Sequence, residues 1–234
     1  FDGIQNVANI HAGQNVIFAK DYTSIESLTY ENAVYGPIVN SGKITAGSED
    51  SVDSVNSNVL LFADEELKNT GDIEAVDNVV LSSRDSLING ESGHSGNIIA
   101  KNGYVDIDAT DNVVNAAGSI TAKQDVTLNS WKGSTTNEAN IVSKEGAVTI
   151  TAASIYELGE SELTEADKLV LGDVNNNGTI GAAGNVSLYS LNGNVNNTAA
   201  ITSGAAVSII ADENTNSTVD KEQNVLGVVS NYNA

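Results

Sequence analysis

Aliphatic residues recur along this chain in sets of three, each about six residues from the last, and the sets themselves repeat. Ile4, Ile10 and Val16 form the first. Leu67, Ile73 and Val79 repeat it, followed by Val114, Ile120 and Val126, by Val174, Ile180 and Val186, and by Val195, Ile201 and Val207. Less regular copies use Ile38 and Ile44 with Val59, and Leu87 or Ile88 with Ile98 and Val105. Sequence similarity follows the spacing: GSITAKQDVTLNS, GTIGAAGNVSLYS and GDIEAVDNVVLSS are variants of one unit, and NIIAKNGYVDIDA matches NIVSKEGAVTITA. Undisturbed copies lie about 21–22 residues apart, within the range of solenoid repeats.

Each step has the internal pattern of a strand. Two residues after the second anchor stands a small side chain: Ala12, Ala46, Ala75, Ala100, Ala122 or Ala182. Two after the third stands a large one: Phe18, Leu61, Leu81, Ile107, Leu128, Ile150, Leu188 or Ile209. A period of two turns these inward with their anchors. Between them Asp106, Thr127, Thr149, Ser187 and Ser208 turn outward, as a solvated sheet requires. A 3.6-residue period never persists, and Gly, Asn and Thr are too frequent for helices. Nor do helical stretches separate the strands, as βαβ units would need. The pattern therefore predicts an all-β parallel β-helix, a β-solenoid of about eight rungs.

Asn40, Asn89, Asn115, Asn175 and Asn196 follow the first anchor, with Gln5 and Lys68 at that position in other copies. In register, such amides hydrogen-bond from rung to rung. Gly42, Gly71, Gly118 and Gly178 fall where a corner turns. At about 4.8 Å per rung the rod is roughly 40 Å long. Its strand edges need a cap or a continuation, and no capping helix is visible, which points to a section of something longer or to end-to-end stacking.

Three segments break the period and are expected to loop off a single solenoid domain spanning 1–234. Residues 19–37 carry Tyr22, Tyr30, Tyr35 and Pro37; residues 47–57 are polar and acidic; residues 153–170 carry Glu157, Glu160, Glu162, Glu165 and Asp167. Within the last, SELTEADKLVL is the one candidate for a short helix, with Ser161 as its cap. Loops off solenoids often carry binding, so Tyr22, Tyr30 and Tyr35 are the candidate binding residues.

The net charge of −21 comes from 31 acids against 10 bases, and Arg84 is the only arginine. Phosphate neutralisation needs clustered bases, so no nucleic-acid partner is expected. An anionic membrane would repel the chain, and no apolar run is long enough to insert into a bilayer. The absence of cysteine removes disulfides and thiol chemistry. The opening Phe1-Asp2-Gly3, without Met or a signal-like segment, suggests a processed form or a fragment.

Candidate chemistry is sparse. Asp173, Asn175 and Asn177 resemble the front half of a calcium loop, with Gly178 at its sixth position. Gly184 stands where a bidentate acid should close the site, so no metal and no cofactor are expected. Asp106 and Asp108 share one strand face, with Asp111 close by, but their neighbours are Thr127, Asn129, Val80 and Ser82 rather than acids and bases. His11 and His94 lack partners, and no nucleophile motif is present. The chain is therefore expected not to be an enzyme.

The units GSITAKQDVTL and NVNNTAAITSGAAVSIIA look like the degenerate rungs of filamentous haemagglutinin-type bacterial adhesins, over most of the chain outside the three insertions. That resemblance implies a right-handed β-helix exported to the outer surface of a Gram-negative cell. It further implies an adhesive or structural shaft whose partners are a host-cell receptor or glycan, or neighbouring copies end to end. The family's repeats are structural, so no site residue is carried over. A self-assembling fibre subunit and a polysaccharide-active β-helix enzyme remain the alternatives.

Overall fold

The computed structural model describes residues 3–21, 23–24, 27–48, 57–157, 164–167, 170–211 and 229–231, with the backbone alone for Tyr30, Tyr156, Glu157 and 229–231. Three parallel sheets of nine, eight and eight strands run along the chain, and in each sheet a strand pairs with the one three elements later. The protein is a parallel β-helix. Among the described residues no helix is long and apolar enough to cross a membrane.

The third sheet stacks as the alternation requires. Val16, Val59, Val79, Val105, Val126, Val148, Val186 and Val207 pair in sequence, as do Phe18, Leu61, Leu81, Ile107, Leu128, Ile150, Leu188 and Ile209. In the second sheet the column runs Ile10, Ile44, Ile73, Ile98, Ile120, Ile141, Ile180, Ile201, with Ala or Ser two residues on. Most of these side chains are fully buried in one continuous core. A large column facing a small one is how three sheets fill a narrow interior without voids.

The first sheet departs from expectation by one residue. Its inward anchor in the fifth rung is Val113, paired with Leu87, while Val114 faces out beside Ile88. The sixth rung uses Thr135, whose hydroxyl donates to Thr151 O at 2.6 Å and so satisfies itself in the core.

The asparagine column shifts with it. Three-residue strands read in–out–in, so the inward Asn stands two residues after the anchor: Asn6, Asn40, Asn69, Asn89, Asn115, Asn137, Asn176 and Asn197. Each Nδ2 donates to the next Oδ1 at 2.6–2.8 Å, seven bonds all running one way. Asn40, Asn89 and Asn115 belong to this ladder. Asn175, Asn196, Gln5 and Lys68 do not: they occupy the outward position.

A second device was not foreseen. The residue just before an anchor lends its side-chain oxygen to the backbone N–H at the same place one rung on. Asn15 receives Asn58 N–H at 2.9 Å, Asn58 receives Asn78 at 3.1 Å, and Asn78 receives Tyr104 at 3.0 Å. At another corner the chain runs Ser86, Asn112, Ser134, Asp173, Asn194. Corners lie outside the strand ladders, and these oxygens satisfy N–H groups that would otherwise lack partners. Gly42 and Gly71 stack so closely at a further corner that a Cβ on Gly71 would fall 2.0 Å from Gly42 O. Only glycine fits there.

Candidate functional site

The described part of the first insertion packs on the solenoid. On the outer face of the third sheet, Ile17, Leu60, Phe62 and Val80 interrupt the polar row, and the loop covers them with Ala19, Leu28 and Ala33. The strand Val59–Ala63 is buried on both faces, which explains its unbroken apolar run. Val34 adds a parallel bridge to Ala63. Arg84 clamps the arrangement, with Nη1 2.9 Å from Asp64 and Nη2 2.9 Å from Glu31 of the loop. The outward Ser/Thr/Asp row therefore begins only at Asp106.

Of the three candidate tyrosines, Tyr22 lies outside the described residues. Tyr30 begins a single 3-10 turn, Tyr30–Asn32. Tyr35 projects from the docked loop, 61% exposed, with Lys20 Nζ 4.7 Å from its ring centroid. That cation–aromatic contact holds the ring upright at the surface. Among the described residues Ala19, Leu28 and Ala33 fasten the loop over Leu60 and Phe62, and Tyr35 is left to solvent.

The segment at Asp173, Asn175 and Asn177 is engaged in rung-to-rung bonding. Val174–Asn176 is a core strand between two others. Asp173 Oδ1 accepts from Asn194 N–H at 2.7 Å, Asn175 Oδ1 from Asn196 at 3.0 Å, and Asn177 Oδ1 from Thr198 at 2.7 Å. An extended strand sends these oxygens along the rod rather than around a common centre. Among the described residues no group of three or more His, Asp or Glu gathers in a form that could hold a metal ion.

In the acidic insertion, Ser161, the expected helix cap, lies outside the described residues. Thr164 and Asp167 form a reciprocal cap: Asp167 Oδ2 accepts from Thr164 N–H and Oγ1, and Asp167 N–H donates to Thr164 Oγ1. Lys132 anchors this turn to the rod, 2.8 Å from Asp167 Oδ1. The Lys132 ammonium first, and the Thr164 donors second, hold the Asp167 carboxyl down at about 2. His94 sits at the tip of a small hairpin in which Glu91 and His94 exchange backbone bonds at 2.9 Å, and its ring is exposed.

Asp106 and Asp108 do share an outer face. Burial pushes the Asp106 carboxyl up to about 6, and the charge of Asp108 adds to it. Asp106 stands beside Val80, at the edge of the loop-covered apolar patch. Asp108 is also raised by burial, partly offset by the Asn129 amide 2.9 Å away. Asp111 is raised by burial and by the adjoining Asp85.

Acids with raised pKa bind protons more tightly in the folded state. Between about 4, the unfolded value, and about 6, the folded chain carries more protons, so stability falls as pH rises through that window. Asp167 has the opposite sign: its contribution is present above about 4 and lost as pH falls towards about 2. Thermal unfolding is therefore expected to show higher stability at pH 5 than at pH 8. Asp106→Asn should flatten the slope between pH 4 and 6, and an unchanged slope would rule Asp106 out as its source.

Comparison with protein-family models, with curated proteins and with solved structures gives no match. The fold and these surfaces thus define the class, a parallel β-helix with docked insertions.

Proposed function

We propose that the protein is a non-enzymatic shaft segment of a secreted bacterial surface adhesin of the filamentous haemagglutinin type, working on the exterior of a Gram-negative cell. The observation carrying this reading is how the polar side chains are used. Asparagine, serine and aspartate oxygens at the inner columns and corners are spent on holding one rung to the next. The loop docked on the rod leaves Tyr35 exposed, with Lys20 over its ring. An exposed aromatic supported by a cation offers contact area at small entropic cost, and it suits a glycan or a receptor surface on a host cell.

Replacing the loop outright would uncover Leu60 and Phe62, so side-chain variants make the cleaner test. Changing Tyr22, Tyr30 and Tyr35 to Ser should abolish attachment to host cells or arrayed glycans while leaving the β-sheet circular dichroism unchanged. Undiminished attachment would move the binding site to the acidic insertion at 153–170.

Asp106 favours a second reading, a polysaccharide-active enzyme, because a carboxyl pushed up to about 6 by burial, with a second carboxyl on the same strand face, suits acid–base chemistry. Release of reducing ends from acidic or neutral polysaccharides, lost in Asp106→Asn, would establish that reading and displace the adhesin.

A further inference from the structure

Four Asn-Gly pairs occur in the sequence: Asn89-Gly90, Asn102-Gly103, Asn177-Gly178 and Asn192-Gly193. In such a pair the glycine nitrogen can close on the asparagine side chain, because no Cβ blocks the approach. The fold restrains three of them. Asn89 is buried in the ladder, its Nδ2 bonded to Asn115 Oδ1 and Gly96 O, and Gly90 N–H donates to Asn69 O at 2.7 Å. Gly178 N–H donates to Asn137 O at 3.0 Å, while Asn177 Oδ1 accepts from Thr198. Asn192 is buried, with Nδ2 2.7 Å from Val170 O.

Asn102 differs. It is exposed, and among the described residues neither its side-chain amide nor the Gly103 N–H takes part in a hydrogen bond. Its backbone is nonetheless fixed, with Asn102 N–H on Val76 O at 2.8 Å and Gln124 Nε2 on Asn102 O at 3.2 Å. We propose that Asn102 is a self-modification site, which deamidates in the folded rod ahead of the other three Asn-Gly pairs.

The chemistry needs only water. Gly103 N gives up its proton and attacks Asn102 Cγ, forming a C–N bond as the bond to the side-chain nitrogen breaks. That nitrogen leaves as ammonia, carrying the proton. Water then opens the five-membered imide at either carbonyl, giving aspartate or isoaspartate, with no change of oxidation state.

Aspartate adds a negative charge where Asp77 and Asp125 already flank the corner. Isoaspartate lengthens the backbone beside Gly103, where even a Cβ would fall 2.8 Å from the Asp77 carbonyl carbon. The rung must shift to take it.

The test incubates the intact chain at mildly alkaline pH in ¹⁸O-labelled water, natively and in urea, and follows all four asparagines by peptide mass spectrometry. Natively, Asn102 should take up label about tenfold faster than the others, a ratio equal to ~1.4 kcal/mol of prior opening at the protected sites. In urea the four rates should converge. Any of the other three matching Asn102 in the folded protein would overturn the proposal. So would a gap that persists in urea, since sequence rather than fold would then set the order.

Discussion

Replacing Asn115 with Ala is expected to lower the unfolding free energy by about 2–4 kcal/mol, while Asn196→Ala changes it by no more than about 0.5 kcal/mol. Both are asparagines of the first sheet, one residue out of phase. Asn115 is fully buried, accepts from Asn89 at 2.8 Å and donates to Asn137 at 2.8 Å. Truncation orphans an amide hydrogen of Asn89, whose other one is already given to Gly96 O. It also removes a donor from Asn137 Oδ1, which keeps only the long bond from Ala139 N–H. An unmade bond in a dry interior costs the desolvation of each group, and two are left here. Asn196 is half-buried on the outward face and, among the described residues, its side chain donates to Asn175 alone, so water replaces what it loses. Urea titration of the two variants decides it, and equal losses would refute the in–out–in assignment of the three-residue strands.

Leu188→Ala should cost about 2–5 kcal/mol, by lost burial and by the cavity left between Ile150 and Ile209. Thr127→Ala and Ser187→Ala, on the outward row, should stay within about 0.5 kcal/mol. Ile209 is only partly buried in the last described strand of its sheet, so Ile209→Ala should fall between these limits. In a rod each rung contacts only its neighbours, so a cavity need not unfold distant rungs. Hydrogen exchange should therefore show loss of protection centred on Ser187–Tyr189 and fading along the rod. Uniform loss from end to end would show that the molecule unfolds as one unit.

The second and third sheets were legible because their columns are chemically one-sided. An aliphatic at the anchor, with Ala, Ser or a larger apolar residue two on, marks the inward face, and the residue between is polar in most rungs. The first sheet lacks that contrast. Val113 and Val114 are the same residue type, and Asn175, Asn176 and Asn177 are indistinguishable by identity, so only hydrogen-bonded register decides which faces in. Thr135 breaks the run of aliphatic anchors, because a hydroxyl with a partner can stand in for a methyl group. The corner ladder leaves its trace in the sequence: Asn15, Asn58, Asn78, Asp125 and Asn185 each precede the valine of the third column.

The surface was harder to read. That Leu60 and Phe62 break the alternation was visible as LLF after Val59, and it implies cover on the outer face. Nothing in the spacing says which segment supplies the cover, since the 19–37 loop reaches back over rungs both before and after it. Asp106 stands beside Val80 at the edge of the covered patch, and its raised pKa is not legible in a strand reading Val-Asp-Ile-Asp. Likewise Asp173 looked like a ligand when taken alone. Its role as a corner acceptor emerges only when Ser134 and Asn194 are stacked on either side.

The one-way asparagine ladder also bears on mechanics. Successive rungs are joined side by side, so tension applied between the two ends of the chain does not shear the sheets. It peels the terminal rung, one ladder bond and a few strand bonds at a time. Each peeled rung of about 21 residues pays out roughly 70 Å of extended chain, against about 4.8 Å of rod consumed. Such a molecule behaves as a spool: it lengthens in steps at a modest, nearly constant force and rewinds from a template that is always intact at its inner edge. Single-molecule stretching would register this as a staircase of similar increments, with larger ones where an insertion is released.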